Sequence, residues 1–546
     1  MKSPTSLFSP VGVGIDFGTY KSAIAFMGLE HREPKLVVIR PGNLEDDPYL
    51  ATSLPTRISL SINPDTNALN VRPDDGRYLD LPNQEKDGVF IASRFKMYMG
   101  GNWPDDESKE IDKILKRPIS ILGLAGKILD TLNDSLRSQI RNSFLAVRTK
   151  QYVITVPPKW DYRQRNATIH ASILGSIKNS RLIEEPLAAA IFLINSGIYN
   201  PKTQRISLII DFGAGTCDIA LIDSEGRGLR VLDAISIQYG GTNIDDALLN
   251  GLLRNKENSE YSHNPKGRVL KKNNRNVRHI DFMAILEKIT ELKHEFGASD
   301  TTRRIQKHAK FSDFVIDLSR EEFQTIIDKE LRDNFDGIFA NFLKTYETRI
   351  QAIGQVFIVG GSSQLPGLHE RVKNILQQVR KTGIAPDVPV IPGPEWCVAK
   401  GAAILSRNNL HAPFAISSRG LPEVKFDPEE LQLLHGEFPT GSGKKLPIYR
   451  LLVFKARKNL GKIEFQIKAD GEKEPRDIFT IVPLHEKEFA AGSRISVEYE
   501  AGIDNLVRLK PQVLYPRQKI HYSYRVFELS LDETQFKQEY QIGGVT

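Results

Sequence analysis

Two stretches of this chain repeat one another, and that repetition limits the possible folds more than any other feature. VGIDFGTYKSAIAFMG covers residues 13–28 and LIIDFGAGTCDIALID covers 208–223. Aligned on Asp16 and Asp211, both read I-D-F-G, then five residues, then I-A. Each is an apolar run that halts at polar turn residues and resumes, which predicts two strands around a tight turn. A turn whose backbone N–H groups point one way makes a small anion cradle. Glycine lets the backbone come close to a phosphate, as Gly18, Gly213 and Gly215 can. Thr19 and Thr216 add hydroxyl donors, and Asp16 and Asp211 sit where carboxylates can hold the water shell of a magnesium ion. Two such loops facing each other would clamp a di- or triphosphate from both sides, between two similar lobes.

Other phosphate-binding designs fail on named features. GSGKKLP at 441–447 lacks the strand–helix context of a P-loop. Both repeated loops run strand to strand, which removes the dinucleotide fingerprint. D-F-G without an H-R-D loop is no protein kinase.

The rest of the chain reads as mixed α/β up to about residue 408. QYVITVPP (151–158) is a strand stopped by prolines. RQRNATIHASILGS (163–176) and EEPLAAAIFLIN (184–195) have helical spacing, and 281–297 and 320–348 read as amphipathic helices. GQVFIVGGSSQLPGLHERVKNIL (354–376) is a strand, a glycine turn and a helix, and EWCVAKGAAILS (395–406) is another helix. Beyond 408, YRLLVFKA, KIEFQIKA, RISVEYEA, NLVRLKPQV and HYSYRVFEL alternate between turn residues, the pattern of an antiparallel β domain. FPTGSGKKLP (438–447) reads as a flexible loop.

Of 546 residues, 40% are hydrophobic and 26% charged, ordinary for a soluble chain. The two cysteines, Cys217 and Cys397, suggest neither a disulfide framework nor a zinc site, and Cys217 reads as a small strand residue. No run is long and apolar enough to span a membrane, and the N-terminus lacks a signal-peptide core. These point to the cytoplasm and leave nuclear entry open. The net charge of +7 is concentrated in KGRVLKKNNRNVRH (266–279), which reads as a solvated surface loop rather than a nucleic-acid patch.

The order of these segments resembles the actin, sugar kinase and heat-shock protein 70 superfamily: phosphate loop one (13–28), a first connecting helix (184–193), phosphate loop two (208–223), an adenosine motif (356–368, VFIVGGSSQLPGL) and a second connecting helix (395–406). VITVPPKWDYRQRNAT and EEPLAAAI look most like the heat-shock protein 70 chaperones. The resemblance implies a two-lobed actin-like (ribonuclease H-like) ATPase domain over 1–408, with lobe I about 1–203 and 377–408 and lobe II about 204–376. A smaller β-rich domain over 409–546 would bind protein clients. It implies ATP or ADP with Mg²⁺, and client, co-chaperone and nucleotide-exchange partners.

Carried onto this sequence, the resemblance gives Asp16, Asp211 and Glu185 the magnesium waters and the attacking water, with Asp218 beside the ion shell. Thr19, Tyr20 and Thr216 would contact phosphates alongside Gly18, Gly213, Ala214 and Gly215, and Gly240 and Gly241 would close the site. FKMYMGG makes Lys96 the residue that positions water against the γ-phosphate. Gly360, Gly361, Ser362 and Gln364 would pass the adenosine, with Lys293 and His294 near the ribose and purine. Pro157 and Arg165 match the family's coupling proline and arginine. Plainer roles stand beside these: Lys96 on the surface, Glu185 capping a helix, Asp16 and Asp211 forming turns, Arg165 solvated.

The chain departs from the family at Gln364, where an arginine is usual, and at Thr242 and Asn243, where two acids are usual. The apolar-acidic linker is missing after 406, and about sixteen residues follow the last strand, too few for a helical lid. The expected function is therefore a slow, lidless chaperone ATPase. The alternatives are a non-hydrolysing nucleotide sensor, or a small-molecule kinase, for which no acceptor carboxylate is identifiable. A filament-forming actin relative is disfavoured by the β domain.

Overall fold

The computed structural model describes residues 11–28, 31–39, 52–73, 88–140, 150–177, 180–202, 205–224, 229–264, 269–299, 301–308, 313–346, 350–380, 386–407, 423–436, 448–468, 477–483, 486–501, 507–515 and 520–525. The 438–447 segment and everything after 525 lie outside them.

The repeated segments are the starts of two matching sheets. β1 (Val11–Asp16) pairs antiparallel with β2 (Lys21–Met27), which pairs with β3 (Lys35–Leu36) and β4 (Leu54–Pro55). On its other side β1 pairs parallel with a later strand, β8 (Lys150–Val156), followed by β9 (Ser180–Glu184). The second sheet repeats the scheme. β10 (Ile206–Phe212) pairs antiparallel with β11 (Cys217–Asp223), which pairs with β12 (Arg230–Ile237), and β10 pairs parallel with β18 (Ile353–Val359). Every residue of β10 and β11 is buried. Strands covered on both faces read as nearly continuous apolar runs, which is why these do not alternate; Ser207, Asp211, Asp218 and Asp223 are the buried exceptions.

Smaller sheets decorate each unit. β5 (Arg57–Ile62) pairs with β6 (Leu69–Pro73) and β7 (Val89–Ser93). β13 (Tyr261–Asn264), β14 (Val269–Lys272) and β15 (Arg275–Asn276) form another, and β16 (Arg304–His308) pairs with β17 (Val315–Ser319). The basic stretch is therefore not simply a loop. Within its described part, Leu270 is buried on β14, and Asn273 and Asn274, both at positive φ, make the turn into β15. Asparagine tolerates that left-handed conformation, and two in a row favour a tight hairpin.

Helices fill the intervals: α1 (Asp105–Leu115), α2 (Ile121–Ile140), α3 (Tyr162–Leu174), α4 (Glu185–Asn195), α5 (Gly241–Leu252), α6 (His279–Ala298), α7 (Arg320–Leu331), α8 (Gly337–Thr345), α9 (Leu368–Arg380) and α10 (Cys397–Arg407). α3 starts on a capping box. Asp161 accepts from the Gln164 N–H at 2.9 Å, and Gln164 Oε1 accepts from the Asp161 N–H at 3.1 Å. The 320–348 region is helical from Arg320 to Thr345, and a π-helical turn at Arg332–Asp336 joins α7 to α8 without a break.

α4 and α10 lie between the two main sheets. One apolar cluster joins Ala25, Val153 and Ile183 of the first sheet, Ala188, Ala189, Ala402 and Ala403 of these helices, and Ile209, Ile222 and Phe357 of the second sheet. The helices cross in backbone contact, because a Cβ on Gly401 would collide with the Ala188 carbonyl. Gly401→Val is expected to destabilise by about 3 kcal/mol or more through overpacking. Urea titration checks this, and an unchanged midpoint would mean the crossing can open freely.

The C-terminal strands make two four-stranded antiparallel sheets. β19 (Glu423–Phe426), β22 (Ile463–Lys468), β23 (Asp477–Pro483) and β26 (Ile520–Arg525) form one; β20 (Leu431–His435), β21 (Ile448–Ala456), β24 (Arg494–Ala501) and β25 (Val507–Tyr515) form the other. They pack face to face through Phe454, whose ring lies 5.3 Å from Phe465 and 5.1 Å from Phe426. β19, β20 and β23 are strands beyond the five expected from the sequence.

Candidate functional site

The two hairpin turns face each other. A Cβ on Gly215 of the second would lie 2.7 Å from Thr19 Oγ1 of the first. Within the second turn the Gly213 N–H donates to the Thr216 carbonyl at 2.9 Å, so that amide closes the turn instead of facing a ligand. The Gly213 carbonyl accepts from the Gly241 N–H at 3.1 Å and from Ser362 Oγ at 2.9 Å. The Ala214 carbonyl accepts from Thr242, from its N–H at 2.8 Å and its Oγ1 at 2.9 Å. In a trans peptide the next residue's N–H points opposite the carbonyl. With the 213 and 214 carbonyls turned to the start of α5, the amides of Ala214 and Gly215 point away from α5. A cradle of the kind expected of the loop would then be formed by these two amides and not by that of Gly213.

Carboxyls converge beside it. Asp211 lies directly across the β10–β11 ladder from Asp218, like charges where a sheet disfavours them. Asp16 ends β1 and accepts from Thr155 Oγ1 at 3.3 Å. Asp218 Oδ2 accepts from Thr216 Oγ1 at 2.6 Å, while Oδ1 is buried and unpartnered. Gly360 comes in from β18 at φ 84°, and a Cβ there would strike Asp211 Oδ1. The backbone can approach that carboxyl because residue 360 is glycine.

Lys96 is the cation of this cluster. It is 4% exposed, donates to Glu185 Oε1 at 2.8 Å, and lies 5.8 Å from the Phe17 ring and 5.3 Å from the Trp160 ring. It is not a surface lysine, and Glu185 engages Lys96 instead of capping α4. Burial, then Glu185, pushes Asp16 and Asp218 up to about 7, and the same causes raise Asp211 well above the carboxylate range.

Four carboxyls share one ammonium here, and one carboxyl oxygen is orphaned in the interior. That deficit suits a divalent cation. Among the described residues no three His, Cys, Asp or Glu side chains are grouped to grip a metal directly. The fit is to an ion held through its own waters, as magnesium prefers.

The other expected residues divide. Gly240, Gly241, Ser362 and Lys293 do come together. A Cβ on Gly241 would lie 2.5 Å from Ser362 Oγ and 3.2 Å from Lys293 Nζ. Lys293, however, is bound to Asp245 at 2.7 Å and donates to the Gly241 carbonyl at 2.7 Å. Tyr20 lies 6.0 Å from the Arg57 guanidinium, and burial pushes its hydroxyl up to about 12. Gly361, Gln364 and His294 are exposed, and the Gln364 carbonyl is 3.2 Å from where a Gly297 Cβ would stand. Arg165 is 1% exposed, not solvated. It donates to Glu184 Oε1 at 3.0 Å and to the Pro158 and Trp160 carbonyls at 3.1 and 3.0 Å, with Pro157 buried alongside.

Sequence reasoning missed Asp245, Glu184 and the Arg94–Asp246 pair. The doubled glutamate before Pro186 was the available signal for Glu184, since two adjacent acids at a strand–helix junction each need a cation. A separate small pocket, lined among others by Phe90, His279 and Met283, holds none of the clustered carboxyls.

The model of the Hsp70 protein family matches residues 114–414, more than half of the chain. The chain belongs to the Hsp70 family. It is 26% identical over 399 residues to the chaperone protein DnaK of Ureaplasma urealyticum serovar 10, covering 72% of this chain and 57% of that one. It is 27% identical over 398 residues to the chaperone protein dnaK of Guillardia theta, covering 70% and 58%. This Hsp70 chain thus spans little more than half the length of the curated relatives it matches. The family accounts for the mixed α/β architecture. Among the described residues no helix is long and apolar enough to cross a membrane.

Proposed function

We propose that this chain binds Mg-ATP between two lobes, hydrolyses it slowly, and uses the nucleotide state to control client binding by its C-terminal β sandwich. The observation that carries the reading is the buried Lys96–Glu185 pair beside Asp16, Asp211 and Asp218, at the meeting of two anion-cradling turns. Lobe I would comprise about 1–203 and the segment after Arg380, and lobe II about 204–380. The boundary is set after Arg380 because α9 runs unbroken through residue 377 and packs on α8. The region 409–546 would hold protein clients, with co-chaperone and exchange partners acting on the ATPase part.

The bound magnesium ion would supply positive charge against the phosphates and order water. The Ala214 and Gly215 amides, with Thr19 and Thr216, would bind the phosphates. Lys96, fixed by Glu185 and flanked by two rings, would aim a water at the terminal phosphorus. Asp211, as the carboxylate, would take that water's proton. Positioning and charge neutralisation are most of what phosphoryl transfer requires.

Isothermal titration of the purified chain with ATP, with and without Mg²⁺, followed by single-turnover phosphate release, tests this. We expect magnesium-dependent binding and release over minutes. Absence of binding sinks the reading, while tight binding without release leaves a nucleotide sensor.

A further inference from the structure

Arg94 and Lys96 stand two residues apart on one turn and reach in opposite directions. Lys96 turns to Glu185 at the start of α4. Arg94 leaves the end of β7 and crosses to α5. Its Nη1 donates to Asp246 Oδ2 at 2.8 Å, and its Nη2 to Asp246 Oδ1 at 3.1 Å and the Thr242 carbonyl at 3.1 Å. The two side chains are 13% and 20% exposed, so the pair is largely out of water. A guanidinium fork on both carboxylate oxygens fixes angle as well as distance.

The turn between the two cations is itself hydrogen-bonded. The Met97 N–H donates to the Arg94 carbonyl at 3.0 Å, and the Met99 N–H to the Lys96 carbonyl at 3.2 Å. Arg94 sits at φ 57°, ψ 9°, a left-handed conformation that a residue with a Cβ disfavours. Its side-chain bonds hold it there. At the far end, Thr242 of α5 is fastened twice to the Ala214 carbonyl of the second turn. A continuous path therefore runs from that turn through Thr242, Asp246 and Arg94 to Lys96 and Glu185. Asp246 stands one helical turn beyond Thr242 and Asn243, the positions where the family resemblance leads one to expect acids.

We propose that Arg94 is a positioning residue: its pair with Asp246 ties the seat of Lys96 on Glu185 to the placement of α5 and the second phosphate turn. Lys96 is then set for chemistry when α5 is docked against the turn, and Arg94 never touches the nucleotide. This rests on the ATPase reading above.

The test is hydrolysis per bound nucleotide, in single turnover, for the full chain carrying Arg94→Gln, Asp246→Asn, or both. Each single change is expected to slow hydrolysis about 10-fold, and the double change by no more, because both cut one link. Arg94→Lys should recover only part of the rate, since an ammonium cannot replace the fork. A lowered melting temperature with an unchanged rate per bound nucleotide would overturn the proposal, as would additive losses. If the unsubstituted chain binds no Mg-ATP, the ATPase reading fails separately, and amide hydrogen exchange decides the link. Asp246→Asn must then speed exchange at Met97 and Met99 together with Thr242; unchanged exchange at Met97 and Met99 overturns it.

Discussion

Lys96→Met is expected to slow single-turnover ATP hydrolysis at least about 100-fold while leaving ATP binding largely intact. Lys96 is buried and bonded to Glu185, with aromatic rings at two sides, so methionine keeps the packing and deletes the charge. The same change leaves Glu185 buried without its cation beside Asp16 and Asp211. Breaking one side of a buried pair costs about 3 kcal/mol or more. Lys96→Met combined with Glu185→Gln removes both charges and should regain most of that stability, but none of the hydrolysis. Denaturant titration and phosphate release on the unsubstituted chain, the single variant and the double variant separate the two effects. A double variant that hydrolyses at the original rate would show that the pair serves the fold alone.

Asp218→Asn should stabilise the metal-free protein at pH 8 by on the order of 2 kcal/mol. Burial, with Glu185 nearby, raises the Asp218 carboxyl to about 7 in the folded chain, against an ordinary carboxylate value near 4 when unfolded. Between those two values the folded state keeps a proton that the unfolded chain has released. The cost of charging Asp218 is absent below about pH 4, grows through the interval, and is complete above about pH 7. The gain from asparagine should therefore be large at pH 8 and nearly gone by pH 4.5. Titrations in chelator at the two pH values measure it, and equal gains at both would assign the effect to packing. Magnesium-nucleotide binding at pH 7 should release protons from the unsubstituted chain and fewer from the variant. The site would then trade stability for chemistry, as functional clusters commonly do.

Much of this was legible in the chain. The repeated Asp-Phe-Gly turns mark both sheets, because a fully buried strand is mostly apolar and its apolar run breaks at polar and glycine residues where the backbone turns. The Lys96–Glu185 pair was readable as two roles but not as a bond, since nothing local joins residue 96 to residue 185. Arg94 and Asp246 were invisible for the same reason, as each looks like a surface charge on its own segment. The basic stretch misled differently. Its charges drew attention, while the Asn273–Asn274 turn that makes it a hairpin went unread. In the C-terminal region, β19 is short and charged, and β20 carries an exposed Leu434, so neither shows a clean alternation.

The crossing of α4 and α10 has a mechanical consequence. Two helices that touch backbone to backbone at Gly401 and Ala188 leave no side-chain cushion, so they can roll on each other but can hardly be pushed apart or together. A rotation of one main sheet against the other would then pivot on that bearing. His279, at the start of α6, stacks on Phe90 of β7 with ring centroids 4.5 Å apart. That ring pair ties β7 to α6, which makes it a place to put a reporter of movement between them.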